Sequence, residues 1–492
     1  MKRYILSAAS SAASLWLVVA VLIANLPAND TRPNVLFIYL DDMNDWISLL
    51  DPSSPIKTPN LERLARKGTL FSKAYCMSAA CNPSRVATLT GLRPTTSGVY
   101  GNKTNWRAAL PSRKTIMQQF QTAGYQVFGA GKIFHHHLNN AFHDGASFDA
   151  FQPMRKQLYP PEKLNGASKY GSRNTDWGSW PNREEDSIDF GTASYCIDFL
   201  KSAQRRRQKG KETGDLVAPF FLACGIFKPH SPFFAPTKYQ SNGGPEKIPM
   251  PLRNSADWDD LPSGAANLLQ SKKWFWDGMQ RLDDSRSGAY QEFVEAYAAC
   301  CRFADAQVGR VLKSLEDTEA AKDTVVILLS DHGFHLGEKD HIEKFALWEK
   351  SNHIPLIIVA PGVTTAGSIC DQPVDCSVVY PTLLDLCDLP ADPSCDGRSL
   401  RPLLQSPDKT WKLPALMTYG RGNHALRNGR WRYIRYSDGS EELYDHNTDP
   451  NEWRNLANSR RRVHQDAVAE LREWLPRAEA LEAKNLHPNK AR

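Results

Sequence analysis

A chain of 492 residues, 41% hydrophobic and 23% charged, can bury one large core with a smaller domain beside it, which excludes a single small module or a disordered polymer. Its net charge of +6 is spread along the sequence and neither demands nor forbids a polyanionic ligand. The one dense basic run, Arg205-Arg206-Arg207 with Lys209 and Lys211, lacks interleaved aromatic residues and reads as a solvated loop, so no nucleic-acid partner is expected.

Residues 1–28 have the build of a secretory signal. Lys2 and Arg3 precede a small-residue stretch, an apolar run from Leu15 to Ala24, and a cleavage position near Ala28. That run falls short of the roughly 20 residues that span a bilayer, so a membrane anchor ranks second and the mature chain is expected not to cross one. The expected location is therefore export, periplasmic or secreted (lysosomal in a eukaryote). Ten cysteines in an exported chain permit disulfides, and by spacing Cys370 with Cys376 and Cys387 with Cys395 are the nearest candidates. Asn102-Lys103-Thr104 is the only glycosylation sequon, a chance-level finding.

Asn34 to Leu40 is a continuous apolar run that ends in Asp41-Asp42. Thr58 is placed to cap a helix that begins at Pro59, carries Leu61, Leu64 and Ala65 on one face, and stops at Gly68. A second helix follows from Cys81, with Pro83 in its first turn and Gly91 ending it in a left-handed conformation. Cys81 then sits at the positive end of a helix dipole with Arg85 one turn along the same face, an arrangement suited to sulfate or phosphate chemistry. Taken alone, such a cysteine is more often a buried structural thiol.

Tyr125 to Ala130 runs into Gly131-Lys132 and His135; Pro219 to Phe227 runs into Lys228-Pro229-His230; Thr324 to Leu329 runs into Ser330-Asp331-His332. Such runs suit strands buried on both faces of a mostly parallel sheet, whose ligands bind at the strands' carboxyl ends. Leu138 to Pro181 has no period and reads as substrate-facing loops, and Glu292 to Leu315 as a long amphipathic helix. Alternation of helix and strand argues an α/β class with helices flanking the sheet. After Pro402 to Leu413 the composition shifts. Trp431 to Tyr436 and Glu442 to Asp445 flank a tight turn as antiparallel strands, and Arg462 to Ala483 reads as a helix. The expected organisation is a catalytic domain over 29–405 and a small α+β C-terminal domain with an antiparallel sheet over 406–492.

Asp41, Asp42 and Asp331 at two strand ends would repel one another unless a cation lay between them. Three carboxylates with further oxygen donors suit Ca²⁺ or Mg²⁺, and the lack of a cysteine-histidine cluster argues against structural zinc. Singly, each aspartate is an ordinary turn former or helix cap, Lys132 and His135 belong to a solvated loop, His230 is a satisfied histidine in a Pro-rich turn, Lys344 belongs to an exposed helix, and His136 and His137 are decorative. Jointly they supply charge neutralisation, a nucleophile and a proton donor, the needs of ester cleavage at sulfur or phosphorus.

Cys81-Asn82-Pro83-Ser84-Arg85 resembles the Cys-x-Pro-Ser-Arg maturation signature of the type I sulfatases of the alkaline phosphatase superfamily. NVLFIYLDD, GKIFH, LLSDHGFHLGE, HIPLIIVAPG and ELYDHNTDPNEWRNLA resemble further segments of that family. KPHSPF, Asp331-His332 and GKIFH are most similar to iduronate-2-sulfatase and its bacterial relatives. The resemblance implies an alkaline-phosphatase-like large domain and oxidation of Cys81 to Cα-formylglycine by a formylglycine-generating enzyme. It implies one Ca²⁺ on Asp41, Asp42, Asp331, His332 and the modified Cys81, with His332 either a ligand or just outside the ligand set. The aldehyde hydrate attacks sulfur, Lys132, Lys344 and Arg85 stabilise the charged oxygens, and His230 protonates the departing sugar oxygen. His135 then takes the proton of the remaining hydroxyl as sulfate leaves. The implied substrate is a sulfated saccharide. Alternatives are choline, N-sulfoglucosamine or algal-polysaccharide sulfatases, a phosphonate or phosphodiester hydrolase, and a catalytically silent glycan-binding relative.

Overall fold

A computed structural model describes residues 32–135, 142–240 and 248–485. The signal segment, His136 and His137 lie outside these. The central sheet has eight strands: β1 Asn34–Asp41, β2 Thr69–Phe71, β3 Gln126–Gly131, β4 Ala150–Gln152, β5 Phe220–Pro229, β6 Thr324–Ser330, β7 Leu356–Val359 and β8 Ser368–Cys370. Their spatial order is β8-β2-β7-β6-β1-β5-β3-β4. The four apolar runs are the adjacent parallel strands β6-β1-β5-β3, and only β7 runs antiparallel to its neighbours in this sheet.

Alternation along β1 explains the layers. Leu36, Ile38 and Leu40 face one apolar cluster while Val35, Phe37 and Tyr39 face another, so the strand is buried on both sides. Helices α1 (Pro59–Ala65), α3 (Ile188–Thr213) and α4 (Ala289–Glu316) pack on the first face, and α2 (Cys81–Thr90) on the second. Register brings the strand ends level. Asp41 lies opposite Pro229, Leu40 opposite Ser330, and Gly131 opposite Gly225. Gly131 has φ +79°, and a Cβ there would stand 2.1 Å from the Gly225 carbonyl, so only glycine lets the chain turn into Lys132 at this approach.

Local expectations meet tertiary detail at several points. Thr58 precedes α1 but makes no side-chain cap. Asp305 of α4 accepts from Asn60 N at 3.0 Å and Leu61 N at 2.9 Å instead, satisfying first-turn donors from across the core. The Arg205-Arg206-Arg207 run is helical, inside α3, and not a loop. Neither cysteine pair suggested by spacing is bonded, since all ten thiols are free. Cys370 instead donates to the Pro407 carbonyl at 3.3 Å, and Cys395 lies 3.3 Å from Arg113 Nη2. The irregular stretch before Pro181 contributes β4 to the sheet edge and a short strand, Trp177–Ser179, that pairs with Phe233–Ala235 just after His230.

The C-terminal sheet is a four-stranded antiparallel meander of β9 Ala415–Thr418, β10 His424–Arg427, β11 Trp431–Arg435 and β12 Glu441–Asp445. Two of these strands exceed the sequence expectation. Both are short and are followed by glycine-rich turns. Helix α5 spans Arg462–Arg472, ending well before Ala483 because Pro476 disfavours helical geometry in the residue before it. Among the described residues no helix is long and apolar enough to cross a membrane.

Candidate active site

The polar crevice is built from strand ends and one helix start. β1 ends at Asp41, and in regular strand geometry Asp42 would point to the opposite face. Asp42 instead has φ 67°, a left-handed conformation that costs a non-glycine residue about 1 kcal/mol or more. The Tyr297 hydroxyl donates to its carbonyl at 2.9 Å, and its own N–H donates to Asp331 Oδ1 at 3.2 Å. Both carboxylates thereby reach one cluster with Cys81 and His230. Tyr297 went unrecognised as a site residue because its spacing on α4 marks it as core.

Cys81 is the first residue of α2, whose ten residues are all buried, and Gly91 closes the helix at φ 71°. The Cys81 Sγ lies 3.2 Å from His332 Nε2, 3.5 Å from Lys344 Nζ, 3.8 Å from Lys132 Nζ and 3.7 Å from Asp41 Oδ1. His135 is within hydrogen-bond reach of the same sulfur. Burial pushes the Cys81 thiol up, but Lys132, Lys344 and His332 together hold it well below the ordinary thiol value.

Lys344 does not lie on a helix. It sits in a loop where Gly337, Lys339, Asp340, Glu343 and Phe345 all have positive φ. Cross-links hold this shape: Phe345 N donates to the Ala79 carbonyl at 3.0 Å, and His341 Nε2 lies 2.6 Å from the Lys344 carbonyl. Beyond the loop, Arg432 of β11 donates to the Leu347 carbonyl at 3.0 Å and Trp348 Nε1 to Glu442 of β12 at 2.8 Å. The C-terminal sheet thus braces the segment that delivers the Lys344 ammonium to Asp42 Oδ1 at 2.9 Å.

Arg85 is fully buried, beneath the cluster and not at its mouth. Nε donates to Asp331 Oδ2 at 2.8 Å, Nη1 to the Lys132 and Ile133 carbonyls, and Nη2 to the Leu40 carbonyl at 3.2 Å, with Asp41 Oδ1 at 3.4 Å. Four hydrogen bonds thus tie the guanidinium to the protein, and the Asp41 carboxylate is a further ion-pair partner.

Asp331 and His332 complete the group. Burial raises the Asp331 carboxyl well above the carboxylate range, against the pull of Arg85. His332 is raised to about 9: burial lowers it, and Asp331 and Cys81 more than reverse this. Burial depresses His135 to about 4, so its ring is neutral at neutral pH. His230 Nε2 stands 4.0 Å from Asp42 Oδ2, with its side chain 22% exposed, whereas the three aspartates, Cys81 and His332 are fully buried.

The three carboxylates fit a hard divalent cation, for which the His332 nitrogen is a less typical donor and the Cys81 thiol a poor one. Asp41, Asp42 and Asp331 supply carboxylate oxygens, and His332 a nitrogen, but a thiol is a soft donor among them. An oxygen at position 81, as in a hydrated formylglycine, removes the mismatch. A second His-carboxylate cluster, Glu349, His446 and Glu452, is already neutralised by Arg432.

A raised folded-state pKa at Asp331 means that its ionisation costs stability as pH rises above its unfolded value, a cost that a bound cation relieves. Chelation at neutral pH is therefore expected to lower Tm, and cation at 100 times its Kd to restore about 2.7 kcal/mol. The effect shrinks on acidification as protons compete for the carboxylates. Calorimetry with and without chelator at two pH values checks this, and an unmoved Tm at neutral pH contradicts it.

A family model described as Sulfatase matches residues 33–389, and one described as N-sulphoglucosamine sulphohydrolase, C-terminal, matches residues 337–480. A sulfatase of Formosa agariphila is 35% identical over 468 residues, covering 91% of this chain and 87% of that protein. Human iduronate 2-sulfatase is 28% identical over 381 residues, 72% of this chain and 65% of its own length. The solved phosphonate monoester hydrolase of Agrobacterium radiobacter has a TM-score of 0.67 at 21% identity, covering 90% of this chain and 95% of that one. These likenesses establish an alkaline-phosphatase-like fold with a C-terminal accessory sheet. With a family model spanning most of its length and a buried Asp-Cys-Asp-His centre at the matching strand ends, the chain belongs to the sulfatase family of sulfuric ester hydrolases.

Proposed function

We propose that this enzyme removes sulfate from a sulfated saccharide of the glycosaminoglycan class, with Cys81 matured to Cα-formylglycine and Ca²⁺ held by Asp41, Asp42, Asp331, His332 and residue 81. The observation that carries the reading is the convergence of the Lys132 and Lys344 ammoniums and the His332 imidazole on the Cys81 sulfur at the start of a buried helix. When bound, the cation supplies positive charge beside the sulfate oxygens and residue 81.

The chain's own residues divide the remaining work. Lys132 and Lys344 hold the charged oxygens of the ester. Arg85, buried and paired with Asp331 and Asp41, holds both carboxylates in place. His230, at the open side, gives the proton of Nε2 to the departing sugar oxygen, a poor leaving group without it. His135, neutral at neutral pH, takes the proton from the second hydroxyl of residue 81 as sulfate is expelled. An aldehyde hydrate is suited to this because its two hydroxyls let one carry sulfate while the other drives its release.

Within this class, KPHSPF and GKIFH favour 2-O-sulfated iduronate, while the match of residues 337–480 to an N-sulphoglucosamine sulphohydrolase C-terminus favours a sulfated glucosamine. A solved relative of the same fold is bound to its substrate D-glucosamine-2-N,6-O-disulfate, at a TM-score of 0.68 and 21% identity, covering 90% of this chain and 97% of that one. The enzyme is proposed to be exported and to depend on a formylglycine-generating enzyme. Matured protein should be assayed for sulfate release from defined disaccharides with 2-O, 6-O or N-sulfate, and from choline sulfate. The expected result is a kcat/KM on one sulfated saccharide at least about 100-fold above that on bis(4-nitrophenyl) phosphate. The reverse preference would make it a phosphodiester or phosphonate hydrolase of the same fold.

A further inference from the structure

We infer that Lys228 and Asp189 are positioning residues for His230, forming a two-sided clamp on the turn that carries it; the inference rests on His230 being the proton donor proposed above. β5 ends at Pro229, and the chain turns through His230, Ser231 and Pro232. Lys228 Nζ donates to the His230 carbonyl at 3.0 Å and to the Pro232 carbonyl. Between those two lies the Ser231 carbonyl, 2.6 Å from His230 Nδ1. A carbonyl only accepts, so Nδ1 carries the hydrogen there and the ring is oriented with Nε2 toward Asp42. Lys228 therefore fixes both neighbours of the one carbonyl that aims the imidazole.

Asp189 secures the turn from the other side. Located in the first turn of α3 and fully buried, it accepts from Phe227 N at 2.6 Å and from Lys228 N at 2.9 Å. The Phe227 ring packs with its centroid 4.8 Å from that of the imidazole. Lys228 is 4% exposed, and its ammonium donates to carbonyls and not to a carboxylate. Burying an ammonium without an ion pair is costly, and that cost is reasonable where charge-assisted bonds must hold a turn more rigidly than neutral donors would. The demand comes from catalysis, since a displacement of about 1 Å in a reacting group can lose about 100-fold in rate.

The test uses matured, metal-loaded enzyme with 4-nitrophenyl sulfate and phenyl sulfate. Phenolate is the poorer leaving group and depends more on the donated proton. Lys228→Met is expected to lower kcat on phenyl sulfate at least about tenfold more than on 4-nitrophenyl sulfate, with KM within about threefold. Added to His230→Ala, it should cause little further loss, because the two act on one step. Asp189→Asn should show the same selectivity and serves if Lys228→Met folds poorly. Equal losses on the two esters, or losses that add to those of His230→Ala, would overturn the clamp. If His230→Ala itself proves insensitive to the leaving group, the proton-donor assignment fails instead, so the two failures are distinguishable.

Discussion

Cys81→Ala is expected to abolish sulfate release, with a loss of at least about 10⁴-fold in kcat, or about 5 kcal/mol of transition-state stabilisation. The geometry explains why neighbouring groups cannot compensate. Lys132, Lys344, His332 and Asp41 converge on the Cys81 sulfur, and none of them supplies a nucleophilic oxygen in place of residue 81. Cys81→Ser separates the two halves of the proposed reaction. A serine O-sulfate ester has no second hydroxyl on Cβ to expel sulfate, so one sulfate should remain on the protein per active site and turnover should stop. Intact-mass measurement reads this directly. Continued turnover by the serine variant would overturn the elimination step, and an unmodified thiol in fully active wild-type enzyme would overturn formylglycine.

Arg85→Met is expected to be the most destabilising single change in the site. Its guanidinium pairs with Asp331 and Asp41 and also holds three main-chain carbonyls, with no exposure to solvent. Removing one partner of such a buried network typically costs about 3–5 kcal/mol, because the carboxylates stay buried without compensation. Arg85→Lys should recover little, since one ammonium cannot serve five acceptors across a planar fork. Thermal unfolding should show a fall of several degrees in both variants, and added cation should shrink the deficit by neutralising the same carboxylates. A variant that kept its Tm and cation response while losing only sulfate affinity would instead put Arg85 against the substrate.

Much of the fold was legible because its signals are local and repeated. β1, β3, β5 and β6 are continuous apolar runs, since a parallel strand covered on both faces has no polar side to show. α2 was legible from its ends, Pro83 within and Gly91 beyond. Lys344 was misjudged as helical because Phe345, Ala346, Leu347 and Trp348 carry no turn signal. Contacts to Ala79, His341 and the C-terminal sheet override that propensity. Tyr297, Asp189 and Lys228 were passed over because their spacing is that of core and strand residues, and nothing local distinguishes a core tyrosine from one that props a strained aspartate.

The amino-acid sequence by itself determined the α/β order, the helix that starts at Cys81 and the strand ends where the chemistry gathers, because hydrophobic period and turn residues act over a few positions. Only the tertiary structure decided how those ends meet: the left-handed turn at Asp42, the strained loop that delivers Lys344, the burial of Arg85 beneath the carboxylates and the free state of every thiol. Each depends on groups far apart in the chain, whose hydrogen bonds and charges compensate a local cost that no short segment could sustain alone.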